Sequence, residues 1–318
     1  MATWDKNAFG IDVSRWQTSL ALKAGDVDFV IAKMGGAESY GLPYEDKLWA
    51  AHVDNAYKAG AVVMGYWFLS PRYYLEHQWT LSGMKGSTDD ADPIVKQILA
   101  SVKNKAIKAF WFDIEDASDV QGNGPCGDVW ITEHLEHLRE RIVANKLAGN
   151  FPKIPLGVYS RSSFIYSNTS SGSPRFPGLQ VWLEQHPEVM VWTANYRSMP
   201  GGVHPLATIK TNARPADTTR PMPFGFNPQK PRAKEWHCWQ YYGSAAGLKP
   251  YQAPEVAGGG SALDLNLWNG DIAALKADLG IVDTNPPPPP VEPPTTGDTA
   301  ARLAEIERIL KFHNLRGV

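Results

Sequence analysis

The chain has 318 residues, of which 43% are hydrophobic, and its 31 basic and 33 acidic residues leave a formal net charge of −2. This composition is typical of a globular protein with a large core, and it gives no electrostatic reason to expect a nucleic-acid partner. No apolar run reaches the roughly 18 residues that a membrane-spanning helix needs, and the first residues carry no features of a secretory signal. We therefore expect synthesis in the cytoplasm without membrane association.

Short segments rich in β-branched and aromatic residues recur along residues 1–285, with helical segments between the earlier ones. The expected strands cover residues 9–13, 29–33, 61–68, 110–114, 155–160, 189–194, 236–241 and 262–266. The clearest expected helices cover residues 45–59 and 129–146. Because strands that alternate with helices usually run parallel, we predict an α/β fold, an irregular (β/α)8-like TIM barrel. Residues 198–231, rich in proline and glycine, predict a long loop instead of a crossover helix.

The end of the chain has a different composition. Residues 286–297 begin with a run of five prolines and predict an extended linker. Residues 298–318 predict an amphipathic helix, with Leu303, Ile306 and Leu310 on one face. A short helix alone is marginal in water, so its apolar face needs a partner. A second copy, which would make a homo-oligomer, the surface of the main domain and a frayed tail all remain open.

Two acidic side chains close the fourth expected strand. Alternate residues of a strand share a face, so Asp113 and Glu115 should point the same way, about 6.5 to 7 Å apart. Catalytic groups of such barrels lie at the C-terminal ends of strands. Neighbouring carboxylates repel, so one keeps its proton to a higher pH and can act as a general acid, which cleavage of a glycosidic bond requires. The alternative is that both acids cap a helix or pair with surface bases.

Two more acids are expected at the same mouth of the barrel. Asp12 lies near the end of the first expected strand and Asp264 near the end of the last, and these strands are neighbours in a closed barrel. Each acid alternates with apolar residues and should point into the mouth. Burying a ring of carboxylates is costly unless the ring has a function. Binding of calcium or magnesium by the ring is the rival interpretation.

No metal site or cofactor is predicted from the other motifs. His134 and His137 are three residues apart, unlike the i, i+4 pair of zinc proteases, and no third ligand is evident. We expect them on the solvated face of a helix. Cys126 and Cys238 are too few for a disulfide framework, and both two buried thiols and one bridge remain open.

In order along the chain, short motifs resemble those of the glycoside hydrolase family 25 lysozymes, the N-acetylmuramidases common in bacteriophage endolysins and bacteria. They are Gly10-Ile-Asp-Val-Ser-Arg-Trp-Gln17, Asp28-Phe-Val-Ile-Ala-Lys33, Gly65-Tyr-Trp-Phe68, Phe112-Asp-Ile-Glu115, Gly157-Val-Tyr-Ser160, Val191-Trp-Thr-Ala-Asn-Tyr196, Trp239-Gln-Tyr241 and Leu263-Asp-Leu-Asn266. Together they extend over residues 8 to about 272. The resemblance implies an irregular β/α barrel that cuts the β-1,4 bond between N-acetylmuramic acid and N-acetylglucosamine in peptidoglycan.

The resemblance also implies roles for individual residues. Glu115 is expected to be the general acid, Asp113 its partner that steers the substrate or stabilises charge, and Asp12 and Asp264 the supporting acids. The residues expected to line the sugar subsites are Lys33, Tyr66, Tyr159, Trp192 and Tyr196. Trp192 could instead belong to the core, because a large aromatic side chain serves either purpose.

The leading hypothesis is therefore a muramidase that binds peptidoglycan glycan strands, of the phage endolysin type. Such an enzyme would be made in the host cytoplasm and would reach the cell wall through a separate membrane lesion. A chitinase-like glycosidase is a weaker alternative, because its motif would require an acid where Trp111 stands. A non-catalytic glycan-binding or virion structural protein is the remaining alternative.

Overall fold

A computed structural model describes residues 4–37, 42–70, 77, 79–103, 105–115, 128–161, 177–197, 199–216, 221, 234–243, 250–257 and 263–282. The predicted linker and terminal helix, residues 286–318, lie outside the described residues, as does Cys126. None of the described helices is both long and apolar enough to cross a membrane.

Eight strands of the described chain form a closed barrel. They are β1 (Phe9–Val13), β2 (Phe29–Gly36), β3 (Val62–Phe68), β4 (Phe110–Asp113), β5 (Leu156–Arg161), β6 (Met190–Ala194), β7 (Cys238–Tyr242) and β8 (Asp264–Trp268). The strands neighbour one another in chain order from β1 to β8, and β8 closes the barrel against β1. The predicted barrel is therefore confirmed, with each strand close to its expected position.

The described helices lie in the connections between strands and after β8. They are α1 (Trp49–Lys58), α2 (Leu81–Lys85), α3 (Pro93–Val102), α4 (Asp128–Ala148), α5 (Pro177–Gln185), α6 (Leu206–Asn212) and α7 (Ile272–Asp278). A 3-10 turn at Trp4–Lys6 precedes β1, and short strands cover Ser19–Leu20, Tyr44–Glu45, Gly202–Val203, Tyr251–Gln252 and Val256–Ala257. Tyr44–Glu45 pairs with the C-terminal end of β2.

The barrel strands separate two apolar clusters, because successive side chains of a strand point to opposite faces. On β4, Phe110 and Phe112 belong to the larger cluster, which includes side chains of the surrounding helices, whereas Trp111 belongs to the smaller one. That smaller cluster fills the barrel, as expected for a fold of this type. Its buried aromatic members are Phe29, Tyr66, Trp111, Tyr159, Trp192 and Trp268.

Glycine makes room for the largest of these rings. A Cβ atom on Gly157 of β5 would lie 2.3 Å from ring carbons of Trp111, and one on Gly10 of β1 would lie 2.3 Å from the ring of Phe29. Such distances are far shorter than van der Waals contact. The glycines thus allow bulky aromatic side chains to occupy the centre of the barrel.

The direction of the last strand differs from the prediction. The neighbouring pairs from β1 to β7 are parallel, but β8 runs antiparallel to both β7 and β1. The described part of the segment between β7 and β8 contains short strands and no helix. A parallel return requires a long crossover, usually helical, whereas an antiparallel one does not. The expectation of parallel strands throughout was therefore wrong for β8.

Two other expectations are also corrected. Residues 198–231 do not form one long loop, because Gly202–Val203 is a strand and Leu206–Asn212 is helix α6, whose Leu206 and Ile209 are buried. His134 and His137 do not lie on a solvated helix face. Both are fully buried, and His137 Nε2 lies 2.8 Å from Asp92 Oδ2. The Asp92 carboxylate also caps the start of α3, so it links this helix to the middle of α4.

Candidate active site

The four acids predicted from the sequence belong to one end of the barrel. Asp12 lies near the C-terminal end of β1 and Asp113 ends β4, with Glu115 two residues beyond. Asp264 does not end the last strand, as expected, but begins it. Because β8 is antiparallel, its beginning lies at the same mouth, and Asp264 is the register partner of Asp12.

Asp12 is held by two side-chain amides. Gln240 of β7 donates from Nε2 to Asp12 Oδ2 at 2.8 Å, and Asn266 of β8 donates from Nδ2 to the same oxygen at 2.7 Å. All three residues are buried. Hydrogen bonds to a carboxylate in a buried site fix its position and favour its ionised form.

Other side chains determine which way the two amides face. Trp192 Nε1, which can only donate, gives its hydrogen to Asn266 Oδ1 at 2.9 Å. Tyr159 and Tyr196 place their hydroxyls 2.6 Å and 3.0 Å from Gln240 Oε1. The oxygen of each amide is thus occupied, which turns its nitrogen toward Asp12.

Burial and these hydrogen bonds act on Asp12 in opposite directions. Burial raises the pKa of Asp12 from 3.8 to about 6, despite the opposing hydrogen bonds from Asn266 and Gln240. The nearby Glu115 carboxylate adds to the rise in the pKa. The charge of Asp12 therefore changes near physiological pH.

Asp113 is the most deeply enclosed member of the predicted catalytic pair. It is 3% exposed, and its Oδ1 atom has no hydrogen-bond partner among the described residues. Burial first, and the neighbouring Glu115 second, raise the pKa of Asp113 well above its ordinary value, while Lys33 opposes the rise. A buried carboxyl oxygen without a partner is costly, so this atom is available to a bound ligand.

Glu115 differs from Asp113 because a cationic side chain lies in direct contact with it. Arg161, the last residue of β5, places Nε 3.0 Å from Glu115 Oε2, although the N–H does not point at an acceptor well enough to form a hydrogen bond. Burial raises the pKa of Glu115, and Arg161 and then Lys33 reduce that rise. The protonation of Glu115 thus reflects burial, which favours the acid form, against two cations, which favour the carboxylate.

The residues expected to line sugar subsites fall into two groups. Lys33 and Tyr196 are partly exposed, and the Tyr66 residue is 9% exposed. Tyr159 is buried, as is Trp192, whose ring packs against those of Tyr66, Trp111 and Tyr159. The covered ring of Trp192 favours the core interpretation over direct stacking on a sugar, and its indole N–H acts on the site through Asn266.

Asp264 and Tyr196 lie together at the edge of the mouth. A Cβ atom on Gly243, just after β7, would lie 2.7 Å from Asp264 Oδ1 and 2.9 Å from a ring carbon of Tyr196. Burial, followed by the charge of Asp264, raises the pKa of the Tyr196 phenol, so its hydroxyl keeps its proton and can donate.

Sequence reasoning missed three residues of this site: Arg161, Gln240 and Asn266. A signal was present for two of them, because Gln240 and Asn266 are polar residues flanked by large apolar side chains in their strands. Arg161 lies two residues after Tyr159 and therefore shares its face of β5. Across the described residues, no group of three or more His, Cys, Asp or Glu side chains is arranged to hold a metal ion. Cys238 is a free, buried thiol near Asn266.

The chain is similar in fold to several solved structures. The chain is similar to the spore cortex lytic enzyme SleM from Clostridium perfringens, with a TM-score of 0.50 and 15% identity over 86% of this chain and 71% of that one. The chain has the fold of the family 25 glycoside hydrolases. A Streptomyces coelicolor lysozyme gives a TM-score of 0.45 and 16% identity, over 87% of this chain and 99% of that one.

A family 25 glycosyl hydrolase from Bacillus anthracis gives a TM-score of 0.46 and 13% identity, over 87% of this chain and 95% of that one. No protein-family model and no curated protein sequence matches the chain. The family 25 fold is thus shared at a level of identity where the site has to be argued from its own residues.

Proposed function

We propose that the protein is a peptidoglycan muramidase, which hydrolyses the β-1,4 bond between N-acetylmuramic acid and N-acetylglucosamine. One observation carries the proposal: Asp113 and Glu115, both with raised pKa values, lie with Asp12 and Asp264 at the C-terminal mouth of a family 25 barrel. Two carboxyl groups in such a position are what glycosidic cleavage needs.

Glu115 is assigned as the general acid that protonates the leaving oxygen. Its side chain is 27% exposed and lies beyond the end of β4, so substrate can reach it. The raised pKa keeps a share of Glu115 protonated at higher pH, as a general acid requires. If a bound substrate displaces Arg161 from Glu115, the positive charge that favours the ionised carboxylate is lost. A larger fraction of Glu115 is then protonated.

Asp113 is assigned as the partner that contacts the sugar undergoing reaction. Its unpartnered Oδ1 can take a hydrogen bond from the sugar, and its carboxylate can stabilise developing positive charge. Asp12 and Asp264 shape the electrostatic environment of that pair. Lys33, Tyr66, Tyr159 and Tyr196 form the surrounding wall, in which the phenols of Tyr66 and Tyr159 stay neutral because burial raises each pKa.

Digestion of purified peptidoglycan tests this proposal. New reducing ends are reduced with borohydride and identified by mass spectrometry for the wild type, Glu115→Gln and Glu140→Gln, an exposed glutamate on α4. A muramidase yields new reducing muramic acid with the wild type and Glu140→Gln, and not with Glu115→Gln. New reducing glucosamine would assign the cut to the other bond. Absence of new ends from several wall types would favour a glycan-binding protein.

A bacteriophage endolysin is the more specific assignment that we propose. A barrel followed by a proline-rich segment and a stretch whose sequence predicts a short amphipathic helix supports it. The enzyme would be made in the host cytoplasm and would reach the wall after a separate membrane lesion. Expression inside bacteria should leave cells intact until the membrane is permeabilised, and lysis should then follow only with active Glu115. Lysis without permeabilisation would contradict this assignment.

Self-association through residues 298–318 is part of the same proposal. In the predicted helix, Leu303, Ile306 and Leu310 would share an apolar face that a second copy can cover. The mass in solution of the full chain, compared with that of a chain ending at residue 285, tests it. An oligomer that becomes a monomer on truncation supports the proposal, and two monomers contradict it.

A further inference from the structure

An exposed tryptophan lies just beyond the first barrel strand. Trp16 is 64% exposed, and it is the only aromatic residue among the large hydrophobic side chains that the described residues expose. It follows the end of β1 by three residues. An extended chain advances at most about 3.6 Å per residue, so its Cα atom lies within about 14 Å of that of Asp12.

The turn that carries Trp16 is fixed by hydrogen bonds. Ser14 N donates to Gln17 Oε1 at 2.8 Å, and Gln17 N donates to Ser14 O at 3.0 Å. Arg15 N donates to Asp46 Oδ2 at 2.9 Å, and Asp46 is buried. The exposed indole is therefore held on an anchored turn rather than on a flexible loop.

Arg15 and Tyr44 extend this surface. The Arg15 guanidinium carbon lies 5.4 Å from the ring centroid of Trp16 and 5.3 Å from that of Tyr44, distances at which a cation is attracted to an aromatic face. Tyr44 pairs with Gly36 at the C-terminal end of β2, the strand next to β1. All three side chains thus lie on the rim of the mouth that contains the acids.

Resting on the proposed function, we propose that Trp16, Arg15 and Tyr44 form a rim site for a glycan strand outside the bond that is cut. The ring of an N-acetylated amino sugar would stack on Trp16, since a rigid indole offers a large apolar face at low entropic cost. Arg15 would pair with a carboxylate of the acidic stem peptide on the neighbouring muramic acid.

The charges of the mouth explain why a cation on the rim is useful. Asp12, Asp113, Glu115 and Asp264 line the mouth, with Lys33 and Arg161 as the cations near Glu115. An acidic stem peptide is repelled by this cluster and attracted by Arg15. The sugar rings can therefore enter the mouth while the peptides are directed outward to the rim.

Binding to soluble glycan strands tests the rim site. Glu115→Gln serves as the cleavage-silent background, and strands of increasing length are used with and without their stem peptides. Adding Trp16→Ala should weaken binding to long strands roughly tenfold, with a much smaller effect on the shortest fragment, whereas Trp16→Phe should keep most of the affinity. Arg15→Gln should abolish the preference for strands that carry stem peptides.

The matched control is Leu147→Ala. Leu147 is 84% exposed near the end of α4, which leads into β5 and therefore lies at the opposite end of the barrel. If Trp16→Ala binds long strands as tightly as Leu147→Ala does, the rim site is wrong. The binding and digestion experiments can fail independently. If Trp16→Ala weakens binding but the wild type does not cleave peptidoglycan, the muramidase proposal is wrong and the rim site remains. If the wild type cleaves peptidoglycan but Trp16→Ala does not weaken binding, the rim site is wrong and the muramidase proposal remains.

Discussion

Asn266 and Asp12 are joined by a hydrogen bond of 2.7 Å between Nδ2 and Oδ2, although 254 residues separate them in the chain. Trp192 occupies the amide oxygen of Asn266 and so fixes the direction of this bond. The arrangement of the acids at the mouth thus depends on a buried indole. The geometry of Asp12 is set by the barrel core as much as by the acids around it.

Replacing Asn266 with alanine should destabilise the protein. Asn266→Ala leaves the Trp192 N–H without its acceptor and removes one of the two hydrogen bonds to Asp12 Oδ2 in a buried site, which costs about 1–3 kcal/mol in the free energy of unfolding. Asn212→Ala makes the same chemical change at an exposed position of α6 and should cost about 0.5 kcal/mol or less. Denaturant unfolding measures both, and equal effects would show that the amide is not needed.

Removing the charge of Arg161 should alter the pH dependence of cleavage. Arg161 limits the rise in the pKa of Glu115, so Arg161→Gln raises this pKa further. A general acid with a higher pKa stays protonated at higher pH, and the alkaline limb of kcat/KM should therefore move to higher pH.

Arg139→Gln is the matched control for that measurement. Arg139 pairs with Glu136 at 2.8 Å on α4, away from the mouth. Its pH profile should coincide with that of the wild type. An unchanged alkaline limb in Arg161→Gln would mean that Glu115 does not act as the acid or does not depend on Arg161.

Filling the space at Gly157 should disturb the barrel core. A Cβ atom there would lie 2.3 Å from ring carbons of Trp111, so Gly157→Ala should cost about 1–3 kcal/mol in the free energy of unfolding. Combining it with Trp111→Phe, which shortens the clashing ring, should cost less than the sum of the two single changes. Additive losses would show that the two residues do not oppose each other in the core.

Much of the fold was predictable from local pattern. Short runs rich in β-branched and aromatic residues indicated the barrel strands, and the positions of the four acids near strand ends predicted that they share one mouth. The direction of β8 was not predictable, because the same residues can form a parallel or an antiparallel strand. Asp264 was predicted at the correct mouth only because two errors cancelled. The residue begins β8 instead of ending it, and β8 runs antiparallel instead of parallel to its neighbours.

The hydrogen-bonding partners of the acids could not be obtained in the same way. Gln240 lies 228 residues from Asp12, and nothing local to either residue indicates the contact. His134 and His137 show the same limit, since their spacing on a helix did not reveal that α4 packs both of them inward. Local periodicity assigns a face to a residue, whereas tertiary packing decides what that face meets.

The buried carboxylates should make stability depend on pH, and Asp12 allows this to be isolated. Its pKa in the folded protein is about 6, against an ordinary value of 3.8, so the folded state binds more protons between these pH values than the unfolded state does. The contribution of Asp12 to the free energy of unfolding is therefore fully present below about pH 4 and is lost as the pH rises through about 6. At about 1.36 kcal/mol per pKa unit, the loss is on the order of 3 kcal/mol.

Asp12→Asn removes the titration and keeps the size of the side chain. Between pH 4 and pH 7 its free energy of unfolding should therefore rise relative to that of the wild type, by an amount on the order of 2–3 kcal/mol. Asp54→Asn, an exposed aspartate on α1, serves as the control and should follow the wild type. Denaturant unfolding at both pH values provides the comparison. Parallel curves for Asp12→Asn and the wild type would show that Asp12 titrates near its ordinary pKa and that its burial does not favour the protonated acid.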